Sequence, residues 1–140
     1  MSRVINPNAL GKERDQLTRA IVLSLRELAQ QTSMGSQTYD LVAFIALSLD
    51  AISETIDPSV QAWEKRGYWV KADRFRMDWM WTGQYGKDLR AALLAEDWAQ
   101  VALISAKIGG KLNGIKLPAR HRLGQPWTGA WKKLSLTAVG

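Results

Sequence analysis

The sequence predicts an all-α protein: an antiparallel (up-down-up-down) four-helix bundle with a long third helix and an irregular, tryptophan-containing C-terminal arm. Three observations predict it. Apolar residues recur at helical spacing through most of residues 9–113. Loop-forming clusters and helix-cap signals fall between those stretches. One stretch, Leu41-Val42-Ala43-Phe44-Ile45-Ala46-Leu47, is apolar on every side, as befits a helix surrounded by others. A chain of 140 residues is near the commonest single-domain size, so one domain around one core is expected.

The first helix is expected over about 9–31. Asn8 is its candidate N-cap, because a side-chain oxygen there can accept from an unpaired N–H of the first turn. Leu10, Leu17, Ile21, Leu25 and Leu28 supply the stripe. Thr32-Ser33-Met34-Gly35-Ser36 reads as a loop. The second helix is expected over about 37–56. Its end is acidic on one face, with Asp50, Glu54 and Asp57 spaced at i, i+4 and i+7. Asp57-Pro58 then reads as an N-cap followed by a first-turn proline, which makes Asp57 the expected cap of a third helix.

That third helix is expected to be long, over about 58–94, with Gly67, Gly83 and Gly86 as the points that test its continuity. Two apolar faces run along it. Val60, Trp63, Gly67, Val70, Met77, Trp81 and Tyr85 share one; Tyr68, Ala72, Phe75, Trp79, Gly83, Gly86, Leu89 and Leu93 share the other. A helix with two apolar faces needs two surfaces to bury them against. The bundle is one; the C-terminal arm or a second copy of the chain is the other. Arg74, on the first face, is expected to stack on Trp81 or to pair with a carboxylate of the second helix.

Glu96-Asp97 marks a tight turn, and a fourth helix is expected over about 97–113, with Gly114 as its stop. The arm, 115–140, is interrupted by Pro118, Gly124, Pro126 and Gly129. Trp127 and Trp131 stand four apart, so a short helical turn would place both on one side.

Composition excludes several chemistries. There is no cysteine, hence no disulfide, thiolate metal site or cysteine nucleophile. A single histidine, His121, leaves no zinc set or catalytic triad, and no Glu-x-x-His pair supports a di-iron bundle. No G-x-S-x-G elbow and no P-loop occur. The Asp50, Glu54, Asp57 stripe lies on a straight face and is expected to be solvated or paired with a basic helix. No enzyme activity, cofactor or metal is expected. The N-terminal residues show no secretory h-region, and the longest apolar run, Leu41 to Leu49, is far short of the roughly 20 residues that span a bilayer. A cytoplasmic location is the default expectation.

Charge is unevenly placed. Residues 1–60 hold five Lys/Arg against seven Asp/Glu, and residues 61–140 hold fourteen against six. A basic half suits a polyanion, RNA above all, or an acidic protein. The candidate nucleic-acid contacts are Lys107, Lys111, Lys116, Arg120, His121, Arg122, Lys132 and Lys133, interleaved with Trp127 and Trp131, together with Arg66, Trp69 and Arg76. Phosphates supply affinity through the basic residues, and rings stack on bases. Trp69 lies on the polar side of the third helix beside Arg66, Asp73 and Arg76, where cation–π stacking within the fold competes with base stacking. The tail tryptophans have a competing role as clamps across the bundle. Two further readings stand beside RNA binding: a homo-oligomer or protein-interaction scaffold using the second apolar face of the third helix, and a peripheral protein on an anionic membrane surface. In length, basicity and helix count the chain resembles the small basic four-helix-bundle accessory proteins that bind RNA and associate with reverse transcriptases. The resemblance is architectural, carries no motif and transfers no residue or activity.

Overall fold

The computed structural model describes residues 7–139, which are all-α, with no strand among them. Seven helices follow in order: α1 (Pro7–Ala29), α2 (Ser36–Glu54), α3 (Ile56–Lys65), α4 (Trp69–Trp79), α5 (Trp81–Leu94), α6 (Trp98–Lys111) and α7 (Ala130–Val139). The expected absence of a secretory leader concerns residues that lie largely outside those described. No helix among the described residues is long and apolar enough to cross a membrane.

The central helix is α2. It packs on α1, α5 and α7, while α5 packs on α6 and α6 touches α1. Leu41, Val42, Ala43, Ile45, Ala46, Leu49 and Ile52 are wholly buried, as its all-round apolar sequence requires. Around it Ile21, Leu89, Leu93, Ile104, Ile108 and Leu134 complete the core.

The close approach of α2 and α5 depends on the glycines that threatened helix continuity in the sequence. A Cβ on Gly86 would lie 2.8 Å from an Asp50 carboxylate oxygen and 3.1 Å from Leu49 Cβ; one on Gly83 would lie 2.8 Å from Ser53 Oγ. Both glycines sit inside α5, where the missing side chain lets two helices touch.

The long third helix expected over 58–94 is instead three helices. The first break is a Schellman stop. Gly67 takes a positive φ of 79°, its N–H donates to Glu64 O at 3.0 Å, and the Tyr68 N–H donates to Trp63 O at 3.0 Å. The second break is at Met80, whose backbone dihedrals remain helical. Beside it Trp81 Nε1 donates to Asp78 O at 2.9 Å and Thr82 Oγ1 to Trp79 O at 2.8 Å.

Two expected caps are also corrected. Asn8 stands inside α1, which begins at Pro7, and Asp57 lies in the first turn of α3, which begins at Ile56 after Thr55. A cap needs the non-helical backbone that precedes the first turn, and neither residue has it. Asp97 does cap α6, its carboxylate accepting from the Gln100 N–H at 3.2 Å.

The C-terminal arm is irregular only to Gly129 and then forms α7. Trp127, 4% exposed, inserts with Leu23 and Leu41 into a second cluster, flanked by Leu117 and Leu123. Asp40 on α2 accepts from the Trp131 N–H at 2.9 Å and the Gly129 N–H at 3.2 Å, holding the start of α7 with a carboxylate, the charge its N-terminal end favours.

Candidate functional site

The expected contact residues fall in two places. Lys107 and Lys111 end α6; Lys116, Arg120 and Arg122 follow on the irregular segment; Lys132 and Lys133 begin α7; all seven are exposed, and His121 is half-buried. The segment that carries the middle group is fixed. Arg26 Nη2 donates to Leu117 O at 2.7 Å, and His121 Nδ1 accepts from the Leu123 N–H at 3.3 Å. Leu117 and Leu123 anchor beside Trp127. After Asp97 the sequence contains no acidic residue. Among the described residues the ion pair is Arg90–Asp50, at 2.6 Å, and none of these basic side chains is paired there.

The tail tryptophans serve the fold. Trp127 is buried, and Trp131 is half-buried with its ring centroid 5.1 Å from that of Tyr39. Tyr39 in turn meets Trp98 edge-on at 5.1 Å and donates through its hydroxyl to Glu96, whose carboxylate raises the Tyr39 pKa above the ordinary tyrosine value. Tyr39 thus joins α2, the α5–α6 turn, α6 and α7. This arrangement corresponds to the clamp role of the two tail tryptophans.

Arg66, Trp69 and Arg76 lie elsewhere, at the α3–α4 corner, and all three are exposed. That corner packs on itself: Ile56, Val60 and Ala72 form its buried cluster with Trp63, Phe75 and Trp79 against them. α4 packs chiefly on α3 and makes a small contact with α5, so its residues are not gathered with those of the tail. Trp69 is 60% exposed, and among the described residues no cation lies over its ring; Lys71 instead sits 5.0 Å from the Trp63 ring. Arg74 is exposed and lines an open cleft with Tyr68, Trp69 and Lys71, rather than stacking on Trp81 or pairing with α2. The carboxylate that pairs with an arginine is Asp50, and its partner is Arg90 of α5.

A residue that carries much of this arrangement went unremarked in the sequence. Arg14 of α1 is 7% exposed, with Nη1 donating to Thr55 Oγ1 at 3.1 Å and Ser59 Oγ at 2.9 Å. Its guanidinium lies 4.5 Å from the Phe75 ring centroid and 6.0 Å from that of Trp79. Burial lowers its pKa below the ordinary arginine value, against the opposing pull of Asp15 and Glu13. The signal was positional: Arg14 falls between Leu10 and Leu17 at helical spacing, so a cation occupies the apolar stripe of α1.

No protein-family model matches the chain, and neither a curated protein nor a solved structure does.

Proposed function

We propose that the protein is a non-enzymatic nucleic-acid-binding module, RNA being its preferred partner, and that its contact surface is the basic run from Lys107 to Lys133. The observation that carries the reading is the seven exposed lysines and arginines of that run, without an acidic residue after Asp97 in the sequence and without an ion pair among the described residues. Unneutralised cations on an anchored segment are what phosphate contacts require. In this reading the aromatic contribution from Trp127 and Trp131 falls away, because both are used inside the fold. RNA contact then rests on charge, with little sequence preference.

The scaffold belongs to the same reading. Contacts of α1 with α2, α2 with α5, α5 with α6 and α6 with α1 support a four-helix bundle. Tyr39 near the start of α2 meets Glu96 just past the end of α5, while Ser53 near the end of α2 meets Gly83 near the start of α5; this supports antiparallel neighbours. A cytoplasmic location is part of the proposal.

The test is fluorescence anisotropy with a single-stranded RNA. Binding should be evident at about 50 mM salt and fall steeply as salt rises, with a log–log slope of about −0.7 for each phosphate neutralised. Changing Lys107, Lys111 and Lys116 to Gln should flatten that slope in steps. Absence of binding to mixed RNA or DNA at the low-salt condition refutes the reading.

A further inference from the structure

Among the described residues the outer face of α4 is left without an occupant. Ala72, Phe75 and Trp79 turn inward, and the opposite side carries Trp69, Val70, Met77 and Met80, each more than half exposed. At 100° per residue these four span an arc of about 100°, continuous along the helix and its end. Trp69 is a ridge between two open clefts. One, of about 770 Å³, is lined by Gly67, Tyr68, Trp69, Val70, Lys71 and Arg74; the other, of about 320 Å³, by Gln61, Glu64, Lys65 and Trp69. The C-terminal arm, the expected cover, lies on α2 instead.

Charge selects among the occupants such a face could take. Residues 65–80 hold Lys65, Arg66, Lys71, Arg74 and Arg76 against Asp73 and Asp78. On the helical wheel Arg76 borders the apolar arc on one side and Arg74 on the other, while Asp73 falls in its middle. A second copy would bring five cations against five. Phosphates and anionic headgroups would meet the Asp73 carboxylate at the centre of contact, and of the four apolar side chains of the arc only Trp69 offers a flat ring on which a base stacks. A protein helix can meet every part of the pattern. Its apolar side chains fill the clefts on either side of Trp69, its acidic rims face Arg74 and Arg76, and one cation within its apolar stripe meets Asp73. Thioether side chains adapt well to such a helix, and tryptophan and arginine are the residues on which protein interfaces most often turn.

We propose that the outer face of α4 docks an amphipathic helix of another protein, one with acidic rims and a single basic residue within its apolar face. This surface is separate from the basic run of the tail and does not depend on RNA binding.

The probe is a fluorescent synthetic helical peptide with leucines on one face, one lysine among them and glutamates on both rims; its twin has lysine rims. The full-length protein is expected to bind the glutamate-rimmed peptide saturably and the twin far more weakly. Trp69→Ala should weaken binding at least about tenfold, as loss of a central interface residue does. The double change Arg74→Glu and Arg76→Glu should reverse the preference between the peptides. These side chains are exposed, so helicity by circular dichroism should be unchanged, and Met77→Ala gives a second, milder loss. Lys132→Gln with Lys133→Gln should leave peptide binding intact while weakening RNA, which separates failure of this inference from failure of the RNA reading. It is overturned if neither peptide binds, if both bind equally, or if Trp69→Ala weakens RNA or phosphatidylserine-vesicle binding and leaves the peptide unaffected.

Discussion

Replacing Arg14 tests how the α3–α4 corner is attached to α1. Its guanidinium donates to the hydroxyls of Thr55, just before α3, and of Ser59 on α3, and lies over two rings of α4; among the described residues it forms no ion pair. Two hydrogen bonds from a charged donor contribute about 1.5–3 kcal/mol each, and the ring contacts add about 0.5–2 kcal/mol. Against this stands the desolvation of a buried cation, several kcal/mol, which disappears with the side chain. The net loss for Arg14→Ala is about 2–3 kcal/mol, roughly 6–10 °C in Tm for a chain of this size. Arg14→Met should cost less than about 1 kcal/mol, because its stem fills the same space without the desolvation penalty. The hydroxyls are not stranded by that change. Thr55 Oγ1 still donates to Ile52 O at 2.6 Å and Ser59 Oγ to Thr55 O at 2.8 Å. Urea unfolding monitored at 222 nm measures all three proteins. The reasoning is refuted if Arg14→Ala loses less than about 1 kcal/mol, or if Met is as damaging as Ala.

Other perturbations follow from the same geometry. Gly86→Ala should destabilise by about 1–3 kcal/mol in the same unfolding assay, because its Cβ would press on Leu49 and Asp50 across the α2–α5 contact; a helix-propensity gain would indicate that the helices are not that close. Burial raises the Asp50 pKa, Arg90 opposes the shift and Glu54 adds to it. A carboxyl raised in the folded state stabilises fully below its unfolded pKa, and that contribution is lost as pH rises through the folded value. Asp50→Asn should therefore flatten the fall of stability from the acid side toward neutrality, and an unchanged pH profile contradicts the assignment.

The regular parts of the fold were legible because they rest on periodicity. The all-round apolar run of α2 announced a central helix, and the stripes of α1 and α6 announced their inner faces. The three-way division of the expected third helix was hidden by opposite uses of one residue type. Gly67 stops a helix by its positive φ, whereas Gly83 and Gly86 let α5 lie against α2. Only the partner surface distinguishes these roles, and a single sequence does not display it. The break at Met80 has no glycine or proline to mark it. For the candidate contacts, exposure of the tail cations was legible from their run without acids. The burial of Trp127 was not, because Leu23, Leu41 and Leu117, which surround it, come from three separate segments.

The break at Gly67 also explains why the face of α4 can be open without loosening the fold. An isolated helix of 11 residues is marginal in water, so α4 must be held by tertiary packing. That packing is supplied on its inner side, where Phe75 meets Trp63 edge-on at 4.7 Å and Ala72 is wholly buried. Trp69, Val70, Met77 and Met80 contribute little to it, because they remain largely in water. In one continuous helix from 58 to 94, Trp63, Val70, Met77 and Trp81 would share a single apolar face. The turn at Gly67 and the break at Met80 separate them: Trp63 joins the cluster inside the corner and Trp81 packs on the main core, while Val70 and Met77 are left outside. Gly67→Ala should therefore act on this surface as well as on stability. Alanine at a φ of 79° costs about 1 kcal/mol, and relaxation toward a continuous helix would re-aim Trp69 and close the cleft beside it. The expected signature is a modest loss of stability with a larger loss of affinity for the glutamate-rimmed peptide, and RNA binding unchanged. Equal affinity in the two proteins would show that the orientation of α4 set by Gly67 is not what forms the surface.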